Sequence, residues 1–194
     1  TTYKQVNLFI TGTGNVGSKL LAQLKQQQQY LAEHHQLQIR IIGLANSRKM
    51  LISEEGIDPG NWSVLLEDGK PANLELFTDA IIERNLRNTV FVDITASDKV
   101  PAVYEKLLRK SLSIVACNKI AASSPYSNYR KLKDLAREYN CRFLFETNVG
   151  AGLPVIGTLN DLLGSGDKIN RLEAVLSGTL NFVFNNYNGK QKFA

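Results

Sequence analysis

The chain has 194 residues, 43% of them hydrophobic and 21% charged, with 23 basic against 18 acidic side chains and a net charge of +5; that is enough for one domain and part of a second, and too apolar for disorder along its length. No apolar run approaches the roughly 20 residues of a membrane-spanning helix, the opening Thr1-Thr2-Tyr3-Lys4-Gln5 is no secretory h-region, and the scattered positive charge forms no basic stripe with interleaved aromatics, so neither membrane nor nucleic acid is an expected partner. Cys117 and Cys141, the only cysteines, have no histidine at ligand spacing and read as reduced, mostly buried thiols of a cytoplasmic protein.

Val6 to Thr11 is a short apolar run ending in glycines, and Val16 to about Glu33 places Val16, Leu20, Leu21, Leu24 and Leu31 at helical spacing. Gln26 to Gln29 read as the solvated face of that helix, and His34 and His35 as solvated turn residues without a second ligand pair. Gln38 to Ala45 is a buried strand of the kind that parallel sheets use. Asn46 to Asn73 holds Gly56, Pro59, Gly60, Gly69 and Pro71 and predicts a long irregular connection with one short helix. Then come a helix over Leu74–Leu86, a strand over Val90–Ile94, and a helix over Val100–Lys110 opened by Ser97 or Asp98 with Pro101 in its first turn. A strand over Leu112–Ala116, a helix over Tyr126–Tyr139 and a strand over Arg142–Phe145 complete the series.

This βαβ alternation predicts an α/β fold with a doubly wound parallel sheet of the Rossmann type. After Gly150 the rhythm changes. Pro154 starts a helix to about Leu163, Gly164-Ser165-Gly166 ends it, and Leu172–Leu176 reads as a strand with no repeat unit behind it. The expected division is a nucleotide-binding domain over 1–147 and the start of a second, α+β domain over 148–194. Thr1 is not an initiator methionine and Lys190-Gln191-Lys192-Phe193-Ala194 closes no clear element, so the sequence reads as a piece of a longer chain.

Gly12-Thr13-Gly14-Asn15-Val16-Gly17 is a G-x-G-x-x-G string between a strand and a helix, the context in which it binds a dinucleotide. Gly12 permits the turn, Gly14 admits a pyrophosphate to the backbone, Gly17 lets helix and strand approach, and the first amides of the helix face the phosphates. At the end of the second strand stands Asn46-Ser47-Arg48, with no acid until Glu54. A carboxylate there would repel a 2′-phosphate, whereas these residues donate to one, which favours NADP(H) over NAD(H) without excluding NAD(H). Asp93-Ile94-Thr95-Ala96-Ser97 and Ala116-Cys117-Asn118-Lys119 leave the carboxyl ends of two further strands, the edge where open α/β sheets bind ligands. Lys119 reads there as a charge for a substrate carboxylate or carbonyl, as a proton relay, or as a surface lysine. The loop from Glu146 to Pro154 suits either a hard cation or a plain hinge.

With these strings in order the chain resembles homoserine dehydrogenase, in the form that makes up the dehydrogenase portion of bifunctional aspartate kinase/homoserine dehydrogenase. The likeness spans essentially the whole sequence. It rests on Gly12 to Gly17, Gly43-Leu44-Ala45-Asn46-Ser47, Asn118-Lys119, the run Thr147-Asn148-Val149-Gly150-Ala151-Gly152-Leu153-Pro154-Val155-Ile156, and Leu176-Ser177-Gly178-Thr179-Leu180. The resemblance implies NAD(P)-dependent interconversion of L-homoserine and L-aspartate 4-semialdehyde, on the route to threonine, methionine and isoleucine, in a homodimer or higher homo-oligomer.

By position it implies that Gly12, Thr13, Gly14, Asn15, Val16 and Gly17 bind the dinucleotide with Asn46, Ser47, Arg48, Thr95, Ala96, Ser97 and Lys119. Lys119 is the catalytic residue, and a sodium ion is held by Glu146 with the main-chain oxygens of Val149, Ala151 and Leu153. The family's substrate-binding acids and a second, proton-donating lysine lie downstream of the Ser-Gly-Thr-Leu strand, beyond Ala194. The dimer-forming sheet is only begun at about Leu172–Phe184. This stretch alone is therefore expected to bind cofactor with little turnover. Two other readings of the same first domain are a non-catalytic dinucleotide sensor and another semialdehyde or amino-acid reductase.

Overall fold

The computed structural model describes residues 3–187 and 189, so the 190–194 terminus lies outside the described residues. The chain divides into two compact units, Thr1–Asn148 and Val149–Ala194. Seven strands form one sheet in the first unit: β1 (Lys4–Thr11), β2 (Leu37–Ala45), β3 (Lys49–Ile52), β4 (Lys70–Pro71), β5 (Thr89–Asp93), β6 (Ser113–Ala116) and β7 (Phe143–Leu144), in the order β4-β3-β2-β1-β5-β6-β7. The pairs β1–β2, β1–β5, β5–β6 and β6–β7 are parallel. The helices between them are α1 (Asn15–His35), α2 (Trp62–Glu67), α3 (Leu74–Arg84), α4 (Tyr104–Leu108) and α5 (Tyr126–Glu138).

The doubly wound α/β architecture expected from the βαβ rhythm is present. The stretch 46–73 differs: besides the expected short helix it contains β3 and β4, which pair antiparallel at the β2 edge. Four and two residues are too few to show a period, and the pairing of Lys49 with Pro71 and Met50 with Lys70 supplies the order instead. The predicted helix over Val100–Lys110 is a 3₁₀ turn, Val100–Val103, running into the shorter α4.

Two apolar clusters cover the faces of the sheet, and the alternation along β1 divides them. Leu8 and Ile10 join Leu21, Ile41, Leu44, Leu66 and Val92 beneath α1 and α2, while Phe9 joins Phe77, Ile81, Phe91, Tyr104, Leu107 and Phe143 beneath α3 and α4. Both faces are thus closed to water. Gln26 to Gln29 are exposed on α1, as expected; His34 and His35 are exposed too, but α1 runs on to include them in its last turn instead of ending before them. No helix among the described residues is long and apolar enough to cross a membrane.

The second unit holds α6 (Val155–Gly164) and α7 (Gly178–Asn186). The strand expected over Leu172–Leu176 is absent, and the chain enters α7 directly. Ser177 caps that helix by accepting from the Leu180 amide at 3.1 Å. A strand needs a neighbour to satisfy its amides and carbonyls, and the described residues offer none to this segment; Leu172, Val175 and Leu176 stay exposed.

Candidate functional site

The sheet register aligns the ends of four strands. Thr11 pairs with Ala45 on one side and Asp93 on the other, and Asp93 pairs with Ala116. The loops that begin at Gly12, Asn46, Ile94 and Cys117 therefore leave the sheet side by side at its carboxyl edge. From β1 the chain winds first to β2 and later back to β5, so β1/β5 is the topological switch point at which such sheets open a crevice.

The three glycines of the first loop are held differently. Gly12 has φ +99°, and a Cβ there would lie 2.3 Å from the Ile94 carbonyl oxygen; on Gly17 it would lie 2.1 Å from the Gly12 carbonyl oxygen. A side chain at either position would force apart the two loops or the strand and helix. A Cβ on Gly14 would meet nothing within 4 Å. Nothing in the protein itself requires glycine at position 14, so its missing side chain leaves room for something else. Gly14 also precedes α1 as its N-cap, without a side-chain cap, so the first amides of the helix are not satisfied by a side chain of that residue.

A crevice of about 810 Å³ opens above these strand ends, lined by Gly12, Thr13, Gly14, Asn46, Ser47, Arg48, Thr95, Ala96 and Ser97 among others. Asn15, Val16 and Gly17 form the first turn of α1 behind it. Its two charged lining residues are Arg48 and Lys99; no acidic side chain among the described residues lines it, which suits an anionic ligand. The far wall consists of Ala72, Asn73, Leu74, Phe77 and Val100. Sequence reasoning missed this wall, although Asn73, which caps α3 by accepting from the Leu76 amide at 2.9 Å, marks a helix start.

Asn46 is more committed than its sequence position implied. Its side-chain oxygen accepts from the amides of Arg48 and Lys49 at 2.8 and 2.7 Å, and its own amide donates to the Lys49 carbonyl. Asn46 thus builds the tight turn between β2 and β3. It keeps only its side-chain NH₂ for a ligand, while Ser47 and Arg48 are exposed at the tip.

Beneath the loops after β5 and β6 lies a buried polar cluster. The Asp93 carboxylate is fully buried and accepts from the Thr95 amide (2.9 Å), the Thr95 hydroxyl (2.7 Å), the Asn118 side-chain NH₂ (3.1 Å) and the Tyr104 hydroxyl. Burial, then the carboxylate beside it, pushes the Tyr104 phenol well above its ordinary range, so it stays a donor. Tyr104→Phe leaves the carboxylate one donor short. We expect it to lower stability by about 1.5–3 kcal/mol, the worth of a hydrogen bond to a charged group, as measured by denaturant unfolding; a loss below 0.5 kcal/mol would show that the bond contributes little.

Lys119 follows Asn118 after β6, is exposed, and is not among the residues lining the crevice. Its carbonyl accepts from the Ser123 amide and hydroxyl at 2.9 and 2.8 Å. Glu146 opens a 3₁₀ turn, Glu146–Asn148, at the close of the first unit. In the second unit Gly150 and Ala151 both take left-handed conformations (φ +73° and +51°), and the Leu153 carbonyl accepts from the Val155 amide at 2.9 Å. Among the described residues no group of three or more His, Cys, Asp or Glu gathers as a metal site.

An open α/β sheet with a glycine turn at its switch point and a cation-bearing crevice over its strand ends defines a nicotinamide-dinucleotide-binding domain. Residues 12–146 match the NAD binding domain of homoserine dehydrogenase, and residues 154–194 match the model described as homoserine dehydrogenase; the chain belongs to the homoserine dehydrogenase family. It is 41% identical over 187 residues to the chloroplastic bifunctional aspartokinase/homoserine dehydrogenase 2 of Arabidopsis thaliana, covering 95% of this chain and 20% of that protein. The chain thus spans about a fifth of the length of that relative. Among solved structures it is similar to a protein of unknown function from Candida auris (TM-score 0.82, 29% identity, 94% of this chain and 50% of that one). It is also similar to a hyperthermophilic archaeal homoserine dehydrogenase in complex with NADPH (TM-score 0.64, 26% identity, 83% and 50%).

Proposed function

We propose that the whole protein is a homoserine dehydrogenase that interconverts L-homoserine and L-aspartate 4-semialdehyde with NADP(H), and that this chain is its cofactor-binding portion: a nucleotide-binding domain over 1–147 and the start of a catalytic and dimerisation domain over 148–194. The observation that carries the reading is the contrast in the glycine loop, where Gly12 and Gly17 are required by their neighbours and a side chain on Gly14 would meet nothing in the protein, which leaves the room that a pyrophosphate needs. The amides of the first turn of α1 receive the pyrophosphate, and Arg48 with Ser47 receives the 2′-phosphate at the tip of the β2–β3 turn. When bound, the nicotinamide gives or takes the hydride. Thr95 and Lys119 border its reacting end. The Lys119 ammonium steadies the negative charge that develops on the substrate oxygen, a contribution that grows toward the transition state.

The same reading gives Glu146, with the main-chain oxygens of Val149, Ala151 and Leu153, a sodium ion. One carboxylate and several carbonyls are the hard oxygen donors that such a cation takes. The functional protein is read as a homo-oligomer of the cytoplasm, although the Arabidopsis relative is named as chloroplastic.

Calorimetry on the purified chain tests the cofactor reading. Binding of NADPH supports it, and no heat with either nicotinamide nucleotide on folded protein removes it. Arg48→Ala is expected to weaken NADPH by about 10- to 100-fold, the scale of a lost charge-assisted bond, while NADH changes little. Equal weakening of both would withdraw the 2′-phosphate from Arg48.

A further inference from the structure

Asp93 is a carboxylate with no accessible surface and, among the described residues, no ion pair. A buried charge of this kind costs more than an apolar side chain of similar size. Four neutral donors solvate it, and they come from three places: Thr95 in the loop after β5, Asn118 in the loop after β6, and Tyr104 on α4. An acceptor that joins two adjacent loops at their roots sets their spacing.

Asn118 passes that constraint on. Its NH₂ also donates to the Ser97 carbonyl at 2.9 Å, and its side-chain oxygen accepts from the Ile120 amide at 3.1 Å. That second bond straddles Lys119, whose own carbonyl is held from the other side by Ser123. Asn148 donates to the Asn118 carbonyl at 3.3 Å. The main chain of Lys119 is therefore pinned before and after the residue, while its side chain is exposed.

We propose that Asp93 is a positioning residue that acts through Asn118 to fix Lys119; this rests on the dehydrogenase reading given above. Only an ionised carboxylate accepts from all four donors. An asparagine in its place turns an NH₂ toward either the Thr95 pair or the Tyr104 and Asn118 pair, and the loop loses its anchor. Asp93 touches neither substrate nor cofactor in this account. Its effect on the reaction runs through Lys119.

The test uses the complete protein with Asp93→Asn, Tyr104→Phe, Lys119→Ala and the doubles of each of the first two with the third, reading kcat for homoserine oxidation, NADPH affinity and unfolding midpoint. Asp93→Asn is expected to lower kcat by about 10- to 100-fold and Tyr104→Phe by about 3- to 10-fold, the cost of one or more bonds to a charged group. Each double variant should lose no more than Lys119→Ala alone to within about twofold, because a residue that works through another has nothing left to change once the other is gone. Losses that multiply in the doubles, or a folded Asp93→Asn enzyme with unchanged kcat, overturn the proposal. If Asp93→Asn does not fold, the Tyr104→Phe cycle decides in the same way. Should Lys119→Ala itself turn over at the wild-type rate, the role of Lys119 falls and this inference with it, which that single variant shows separately.

Discussion

Lys119→Ala in the complete protein is expected to cut turnover by about 10²- to 10⁴-fold, the range that a positioned acid, base or charge contributes to proton and charge movement in a transition state. NADPH affinity should change by no more than a few-fold, since the proposed phosphate contacts are with the glycine loop and Arg48, which line the crevice, whereas Lys119 does not. Steady-state kinetics with a separate binding titration distinguishes the two effects. A protein that only senses the nucleotide would show the reverse, a change of affinity with no turnover to lose. Lys119→Arg refines the result. Arginine keeps the charge and does not release its proton, so recovery of a large part of the rate would assign Lys119 an electrostatic rather than a proton-transfer role.

The second large effect separates two glycines three residues apart. Gly17→Ala drives a methyl group to within 2.1 Å of the Gly12 carbonyl oxygen, where backbone faces backbone and neither side yields easily. Overpacking of this kind costs about 1–3 kcal/mol or more, and thermal unfolding of the purified chain should show a clear fall in midpoint. Gly14→Ser is expected to do the opposite. A Cβ at residue 14 meets nothing, the backbone there is extended (φ −73°), and serine is a favoured N-cap for α1. Stability should hold or rise while nucleotide affinity falls by about 10- to 100-fold, because the new hydroxyl takes the amides that a phosphate would use. Equal stability loss in both variants would mean that Gly14 has a structural role, and unchanged NADPH binding in Gly14→Ser would move the pyrophosphate away from this turn.

Much of this was legible in the residues because the signals are local. Val6–Thr11 followed by glycines and a long apolar stripe specifies strand, turn and helix without outside help, and the crevice edge follows from where strands end. The β3–β4 edge was not legible. Lys70-Pro71 has no strand signature of its own and is ordered by Lys49 and Met50 across from it. The strand expected at Leu172–Leu176 fails for the complementary reason: its apolar residues are present, but the described residues hold no partner strand for it, and Ser177 starts a helix instead. At the site, the position of Asn46 at a strand end marks it as a donor, while the turn that engages its side-chain oxygen depends on the β2–β3 pairing and does not show in the sequence.

In the sequence Asp93 shows only as the head of a loop, and Tyr104 does not stand out as a polar residue. A lone acid closing the apolar run Val90-Phe91-Val92 was the available clue. A charge so placed must be met by donors from elsewhere in the chain, and their identity depends on the register of β5 against β6.

The outer strand β4 carries a further consequence. One of its two residues, Pro71, has no amide hydrogen, and both are exposed. A neighbouring molecule seeking to extend the sheet from this side would find almost no ladder to bond with. Among the described residues the sheet's other margin is Phe143–Leu144, so recruitment of additional strands would start there, and β4 acts as a guard against polymerisation along the flank where the next residue, Ala72, lines the crevice.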